Sequence, residues 1–190
     1  MNVKSAEPLS RELAAQHMSE WSACQRCDLH QTAVRHVLLR GWVPCRILFI
    51  GEAPGETENA TGIPFVGRSG KLLDKLIAAS SPPKKVFPRY AVTNIIACAP
   101  WADATRQKVR KPDATEAEMC SPRITELLEI AKPRGIVLLG KTAEKFFSQD
   151  GNYKIISLPH PAYMLRRGGT GSLEFKRSRL KLQRFVGRII

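Results

Sequence analysis

Short apolar runs alternate with amphipathic segments along most of the chain. Four runs have the length and composition of buried strands, at 46–51, 90–98, 135–140 and 153–158. Helical spacing of apolar residues predicts helices at 10–21, 69–79, 115–131, 142–147 and 172–189. Ser10 is the predicted N-cap of the first helix, and Thr115 opens a predicted capping box with Glu118. This alternation predicts a three-layer α/β/α fold around a mostly parallel four-stranded sheet.

Size and charge narrow the class of protein. The chain has 190 residues, 43% of them hydrophobic, which predicts one folded domain spanning 1–190 rather than a disordered chain. Its formal net charge of +13 indicates a polyanionic partner, either nucleic acid or an anionic membrane face. The apolar runs are too short to span a membrane, and the first residues lack the pattern of a secretory signal. We therefore expect a cytoplasmic protein.

Three polar residues follow or end predicted strands. Glu52 comes after the first strand, Asn94 lies near the end of the second and His160 follows the fourth. The carboxyl ends of parallel strands meet at one edge of a sheet, where ligands of such folds bind. Each residue alone is compatible with a structural role, but together a carboxylate, an amide and an imidazole at one edge predict an active site.

The cysteines predict a metal site. Cys24 and Cys27 form a CxxC pair in a loop, and two further cysteines, Cys98 and Cys120, could complete a four-thiolate site. In a cytosolic protein such thiols are more often ligands than disulfides. The spacing is compatible with either zinc or an iron–sulfur cluster. Cys45 matches no ligand position, and we expect it to be a buried thiol.

Four segments in this order resemble the iron–sulfur (family 4) uracil-DNA glycosylases. They are GEAPG at 51–55, GIPFVGRSGKLL at 62–73, TN at 93–94 and HPAYMLR at 160–166. The resemblance extends from Cys24 to about residue 186. It implies the uracil-DNA glycosylase fold, excision of uracil from DNA and an integral 4Fe–4S cluster held by Cys24, Cys27, Cys98 and Cys120.

The resemblance also gives the edge residues roles. Phe65 would stack on a flipped uracil, and Asn94 would read its amide edge. His160 would donate to the base oxygen O2, and Glu52 would act near the sugar or the attacking water. The residues that we expect to line the base site beside them are Gly51, Ala53, Pro54 and Gly55.

Two segments are candidates for contacts with the DNA backbone. Arg68 and Ser69 begin a predicted helix, whose N-terminus could hold a phosphate. Residues 162–169 read as a flexible tip, in which Met164 or Leu165 would wedge into the duplex while Arg166 meets a phosphate. The alternative for Leu165 is a place in the core.

The loop at 101–114 departs from the family. It is longer than usual and basic, with Arg106, Lys108, Arg110 and Lys111, but it has no histidine. A related branch that traps DNA covalently carries a histidine there, so we expect turnover.

Two other classes of function compete with a glycosylase. In the first, a non-catalytic, metal-stapled module binds DNA through its charge alone. In the second, the protein is an electron carrier, and the residues at the sheet edge have no role. We expect a nucleoid-associated monomer that acts on single- or double-stranded uracil-containing DNA and not on membranes.

Overall fold

The computed structural model describes residues 3–83, 86–103, 105, 108–148 and 150–189, with the backbone alone at 3–10. Its strands are β1 Arg40–Gly41, β2 Ile47–Gly51, β3 Tyr90–Asn94, β4 Gly135–Leu139 and β5 Lys154–Leu158. Its first helices are α1 Val3–Ser22, α2 Leu29–Thr32, α3 Glu56–Thr61 and α4 Arg68–Ala79. The others are α5 Ala114–Ala131, α6 Lys141–Phe146, α7 Pro161–Arg166 and α8 Leu173–Gly187, with a 3₁₀ turn at Gly169–Gly171.

The strands form one mixed sheet in the order β1-β3-β2-β4-β5. All neighbouring pairs are parallel except β1 and β3. The register places Gly51 beside Asn94 at the ends of β2 and β3. The predicted sheet of four strands therefore lacks one strand. Strand β1 was not predicted because it has only two residues and no hydrophobic pattern of its own.

Helices cover both faces of the sheet, which confirms the predicted three layers. On one face, Ile47, Phe49 and Val137 pack with buried residues of α4, α7 and α8. On the other face, Leu48 and Ile136 pack with α5 and α6. Because β2 and β4 are buried on both faces, they are apolar at nearly every position.

Several boundaries differ from those predicted. Helix α1 begins at Val3, so Ser10 lies inside the helix and is not its N-cap. The capping box of α5 joins Asp113 and Glu116 rather than Thr115 and Glu118, since an aspartate caps as well as a threonine.

The polar segment between β2 and α4 contains helix α3, and the predicted flexible tip at 162–169 is largely helix α7. In α7, Pro161 occupies the first turn, where its missing N–H costs nothing. None of the described helices is long and apolar enough to cross a membrane.

Candidate active site and cysteine site

One cleft of about 190 Å³ lies at the carboxyl edge of the sheet. It brings together Glu52, which follows β2, Asn94 at the end of β3 and His160, which follows β5. Four more residues predicted for the base site line it, and they are Ala53, Pro54, Gly55 and Phe65; Gly51 is not among the lining residues. A cleft of this size suits one small planar ligand such as a nucleobase, since sites for drug-sized ligands measure about 300–1,000 Å³.

Asn94 carries an unsatisfied acceptor. Its side chain is buried, with 1% of the residue exposed, and its Oδ1 has no hydrogen-bond partner among the described residues. Such an atom is costly unless a ligand pairs with it. A Cβ placed on Gly51 would lie 2.5 Å from this Oδ1 and 2.4 Å from Cζ of Phe65. The absence of a side chain at Gly51 therefore leaves the room in which the amide and the ring meet.

His160 faces the cleft as a neutral hydrogen-bond donor. It is the N-cap of α7, where its Nδ1 accepts from the backbone N–H of Ala162 at 3.2 Å. Burial lowers the pKa of His160, and the nearby carboxylate of Glu52 opposes that shift. In the neutral ring an accepting Nδ1 requires the proton on Nε2. The remaining ring nitrogen is thus an N–H donor.

Phe65 is held in a left-handed backbone conformation by Glu58. The φ of Phe65 is 55°, which is strained for a residue with a side chain. Glu58 Oε1 accepts from the N–H groups of Val66 at 3.0 Å and Gly67 at 2.8 Å, and so fixes the turn that follows. The ring centroid of Phe65 then lies 5.9 Å from that of His160.

Sequence reasoning missed Glu58. It lies in the polar segment between β2 and α4, yet it is buried and lines the cleft. No hydrophobic pattern marks such a residue, because its partners are backbone N–H groups whose positions depend on the fold.

A second cleft adjoins the first and contains most of the predicted DNA contacts. Arg68, Ser69, Leu165 and Arg166 line it, and Ser69 is shared with the first cleft. Met164 does not line it: helix α7 turns this side chain into the core, where it is fully buried. The prediction that Met164 could wedge into the duplex is therefore wrong. Leu165 is half-buried, packs partly on the same core and remains a candidate.

Part of the long loop also reaches the cleft. Trp101 and Val109 form an isolated antiparallel bridge, and Val109 lines the cleft beside Phe65. Arg110 holds the end of the loop through a two-point ion pair with Glu116 of α5. Lys108 and Lys111 are exposed, whereas Arg106 lies outside the described residues. Composition alone indicated only a basic loop, so the contact of Val109 with the base site was missed.

The four predicted ligand cysteines line a single cavity. Cys24 and Cys27 come from the loop between α1 and α2, Cys98 lies beyond β3, and Cys120 lies in α5. Two histidines hold the CxxC loop by its carbonyls: His36 Nε2 lies 2.9 Å from the Cys24 oxygen, and His30 Nδ1 lies 2.7 Å from that of Cys27.

The chemistry of this cavity fits a cluster. Within the described part of the chain, no three His, Cys, Asp or Glu side chains are placed to hold a metal ion as they stand. Four thiols around a cavity are nevertheless a donor set that suits an iron–sulfur cluster or a zinc ion. Burial raises the pKa of Cys98 to about 12, and the neighbouring thiols add to the shift.

Cys45 has a different environment. It is 5% exposed, does not line the cavity, and burial raises its pKa to about 12. The prediction of a buried thiol is confirmed.

Comparison with known proteins places this geometry in a family. The model of the "Uracil DNA glycosylase superfamily" matches residues 41–183. A type-4 uracil-DNA glycosylase of Archaeoglobus fulgidus is 35% identical over 127 residues, covering 67% of this chain and 59% of its own length. A type-4 uracil-DNA glycosylase of Thermotoga maritima is 33% identical over 159 residues, covering 75% of this chain and 78% of its own length. The chain thus spans about three fifths of the first relative and most of the second.

A solved structure supports the fold. The crystal structure of Pedobacter heparinus SMUG2 superposes with a TM-score of 0.51 at 16% identity, covering 75% of this chain and 74% of that one. At that identity the likeness speaks for the shared architecture alone.

Proposed function

Because the chain belongs to the uracil-DNA glycosylase superfamily, and to its type-4 group, we propose that it excises uracil from DNA and leaves an abasic site. The observation that carries this proposal is the buried, unpaired Oδ1 of Asn94 at the wall of the cleft. An acceptor held there without a partner suits a base that presents an N–H. Uracil presents one at N3, whereas cytosine presents an acceptor at that atom.

Recognition of uracil then depends on the amide of Asn94 and the ring of Phe65. Asn94 Oδ1 accepts from uracil N3–H while its amide N–H donates to O4, and Phe65 stacks on the base. With cytosine the same Oδ1 stays buried and unpaired, at a cost of roughly 1–3 kcal/mol, and the amide N–H meets an amino group. A site built this way rejects the wrong base because its own polar groups are left unsatisfied.

Bond cleavage needs stabilisation at both fragments. The C1′–N1 bond breaks with its electron pair moving onto the base, and a water oxygen bonds to C1′. The proton that the water loses passes to solvent, and the departing uracil anion takes up a proton in turn. His160 Nε2–H donates to O2 as charge grows there, which is worth roughly 3–4 kcal/mol for one preorganised donor. Glu52 also lines the cleft, and its carboxylate stabilises positive charge at C1′ and orients the water.

The base must leave the stack to reach this cleft. Extrusion costs a few kcal/mol, least for a mispaired base or a single strand. The adjoining cleft supplies Arg166 and the N-terminus of α4 at Arg68 and Ser69 for phosphates, with Leu165 as the candidate wedge. A monomer suffices, because Glu52 and the residues that face it come from one chain.

We assign Cys24, Cys27, Cys98 and Cys120 as the ligands of a 4Fe–4S cluster integral to this domain. When bound, the cluster supplies covalent cross-links between three segments, and hydrolysis of the glycosidic bond requires no electron from it. Cys98 lies four residues beyond Asn94, so these links also stabilise the end of the strand that reads the base.

An excision assay tests the proposal. Labelled oligonucleotides with one uracil, single-stranded or paired with G or A, are incubated with the protein and then cleaved at abasic sites by alkali. We expect cleavage at uracil only. Asn94→Ala and His160→Ala should each lower single-turnover excision by roughly 100-fold or more. Asn152→Ala, at an exposed position, is the matched control. Tight DNA binding without cleavage would instead identify a non-catalytic module.

A further inference from the structure

Arg123 is a fully buried arginine that the proposed reaction does not use. It lies in α5, one turn beyond Cys120, with 0% of the residue exposed. Its guanidinium donates to three successive residues at the end of β3: to Thr93 Oγ1 at 3.0 Å, to the Asn94 carbonyl and to the Ile95 carbonyl at 3.2 Å.

These bonds fix the strand end that carries the base reader. Thr93 Oγ1, which accepts from Arg123, itself donates to the Leu38 carbonyl at 2.6 Å. The guanidinium therefore holds the Thr93 side chain and the backbone carbonyls of Asn94 and Ile95, while the side-chain Oδ1 of Asn94 stays unpaired. The planar guanidinium reaches several acceptors in fixed directions, whereas a compact ammonium group with three donors is too small to span the same acceptors.

The charge of Arg123 has no carboxylate partner among the ion pairs of the described residues. A buried cation without a counter-charge is strongly unfavourable. Arg123 lies one turn beyond Cys120 in α5, and it donates to the carbonyl of Ile95, three residues before Cys98. Thiolates that bind a cluster supply the missing negative charge.

We propose that Arg123 is a positioning residue that couples the cysteine site to the base reader. Its donors fix the backbone of Asn94, and its positive charge balances the thiolates around the cluster. The role of Arg123 in positioning Asn94 rests on the proposed function. Its role in balancing charge rests on the cysteine cavity alone.

The test uses two variants that separate charge from hydrogen bonding. Arg123→Lys keeps the charge and loses most of the bonds, and Arg123→Gln loses the charge. Leu182→Ala, a fully buried change in α8 on the opposite face of the sheet, is the control for general destabilisation. The measurements are the rate at which a chelator removes the metal as purified, single-turnover excision, and the melting temperature.

We expect Arg123→Gln to release its metal roughly 10- to 100-fold faster than the wild type, and Arg123→Lys within about 2-fold of it. Excision by Arg123→Lys should fall roughly 10- to 100-fold, with binding of uracil-free DNA unchanged. Losses in Arg123→Lys and Arg123→Gln no larger than in Leu182→Ala at equal melting temperature would overturn the proposal. If Arg123→Gln does not fold, Arg123→Lys decides through excision. Absence of excision by the wild type would refute the proposed function, and metal release would still decide the role of the charge.

Discussion

Replacing Gly51 by alanine should close the base site with a single methyl group. The added Cβ would lie 2.4 Å from Cζ of Phe65 and 2.5 Å from Oδ1 of Asn94. Ordinary carbon contacts are about 3.5–4.0 Å, so the ring and the amide must each move by about 1 Å. The backbone cannot yield easily, because Gly51 is paired within the sheet beside Asn94.

The expected loss follows from those displacements. Overpacking of this kind costs about 1–3 kcal/mol of stability, and a misplacement of about 1 Å in an active site costs about 100-fold in rate. Single-turnover excision from single-stranded uracil DNA measures the rate without the added work of opening a duplex. Gly187→Ala is the matched control, since a Cβ there meets nothing within 4 Å. Excision by Gly51→Ala within 2-fold of the wild type would refute this account of the pocket.

Further predictions concern the metal, the pH and the duplex. Cys45→Ser should leave the iron content unchanged, whereas Cys98→Ser should lose it, and elemental analysis showing zinc without iron would reject the cluster. Burial lowers the pKa of His160 from 6.5. The excision rate should therefore be independent of pH above 6.5 and fall only in more acid solution. Protonation there also removes the stability that the buried neutral ring contributes. An NMR titration midpoint of that ring above 6.5 would contradict this. Leu165→Ala should impair excision from U·A duplex more than from single strands, and Arg166→Ala should impair both and reduce the salt slope by about one phosphate contact. Equal losses in Leu165→Ala with a lowered melting temperature would make Leu165 a core residue.

The three layers of the fold and the meeting of site residues at one sheet edge could be predicted, because both depend on the periodicity of apolar residues along the chain. Strands β2 and β4 are apolar along their length, and their parallel arrangement brings Glu52 and His160 to one edge. Strand β1 is too short to show a period, and its pairing with β3 is visible only in the folded chain.

Residues that act through the backbone were not predictable in this way. Glu58 is bound to two N–H groups, and Arg123 to carbonyls that are distant in sequence. Both are charged residues of a type that is usually exposed to solvent, and only the fold shows that they are buried. Met164 was wrongly placed in a flexible tip, because the glycines after it obscured the short helix begun by Pro161.

The most direct test of the central claim is the release of free base. An oligonucleotide with a single uracil, and a matched one with cytosine at the same position, are incubated with excess protein, and the supernatant is analysed by mass spectrometry. The account predicts one free uracil per uracil site and no free cytosine. Binding of both oligonucleotides with no base released, or release of cytosine as fast as uracil, would contradict it.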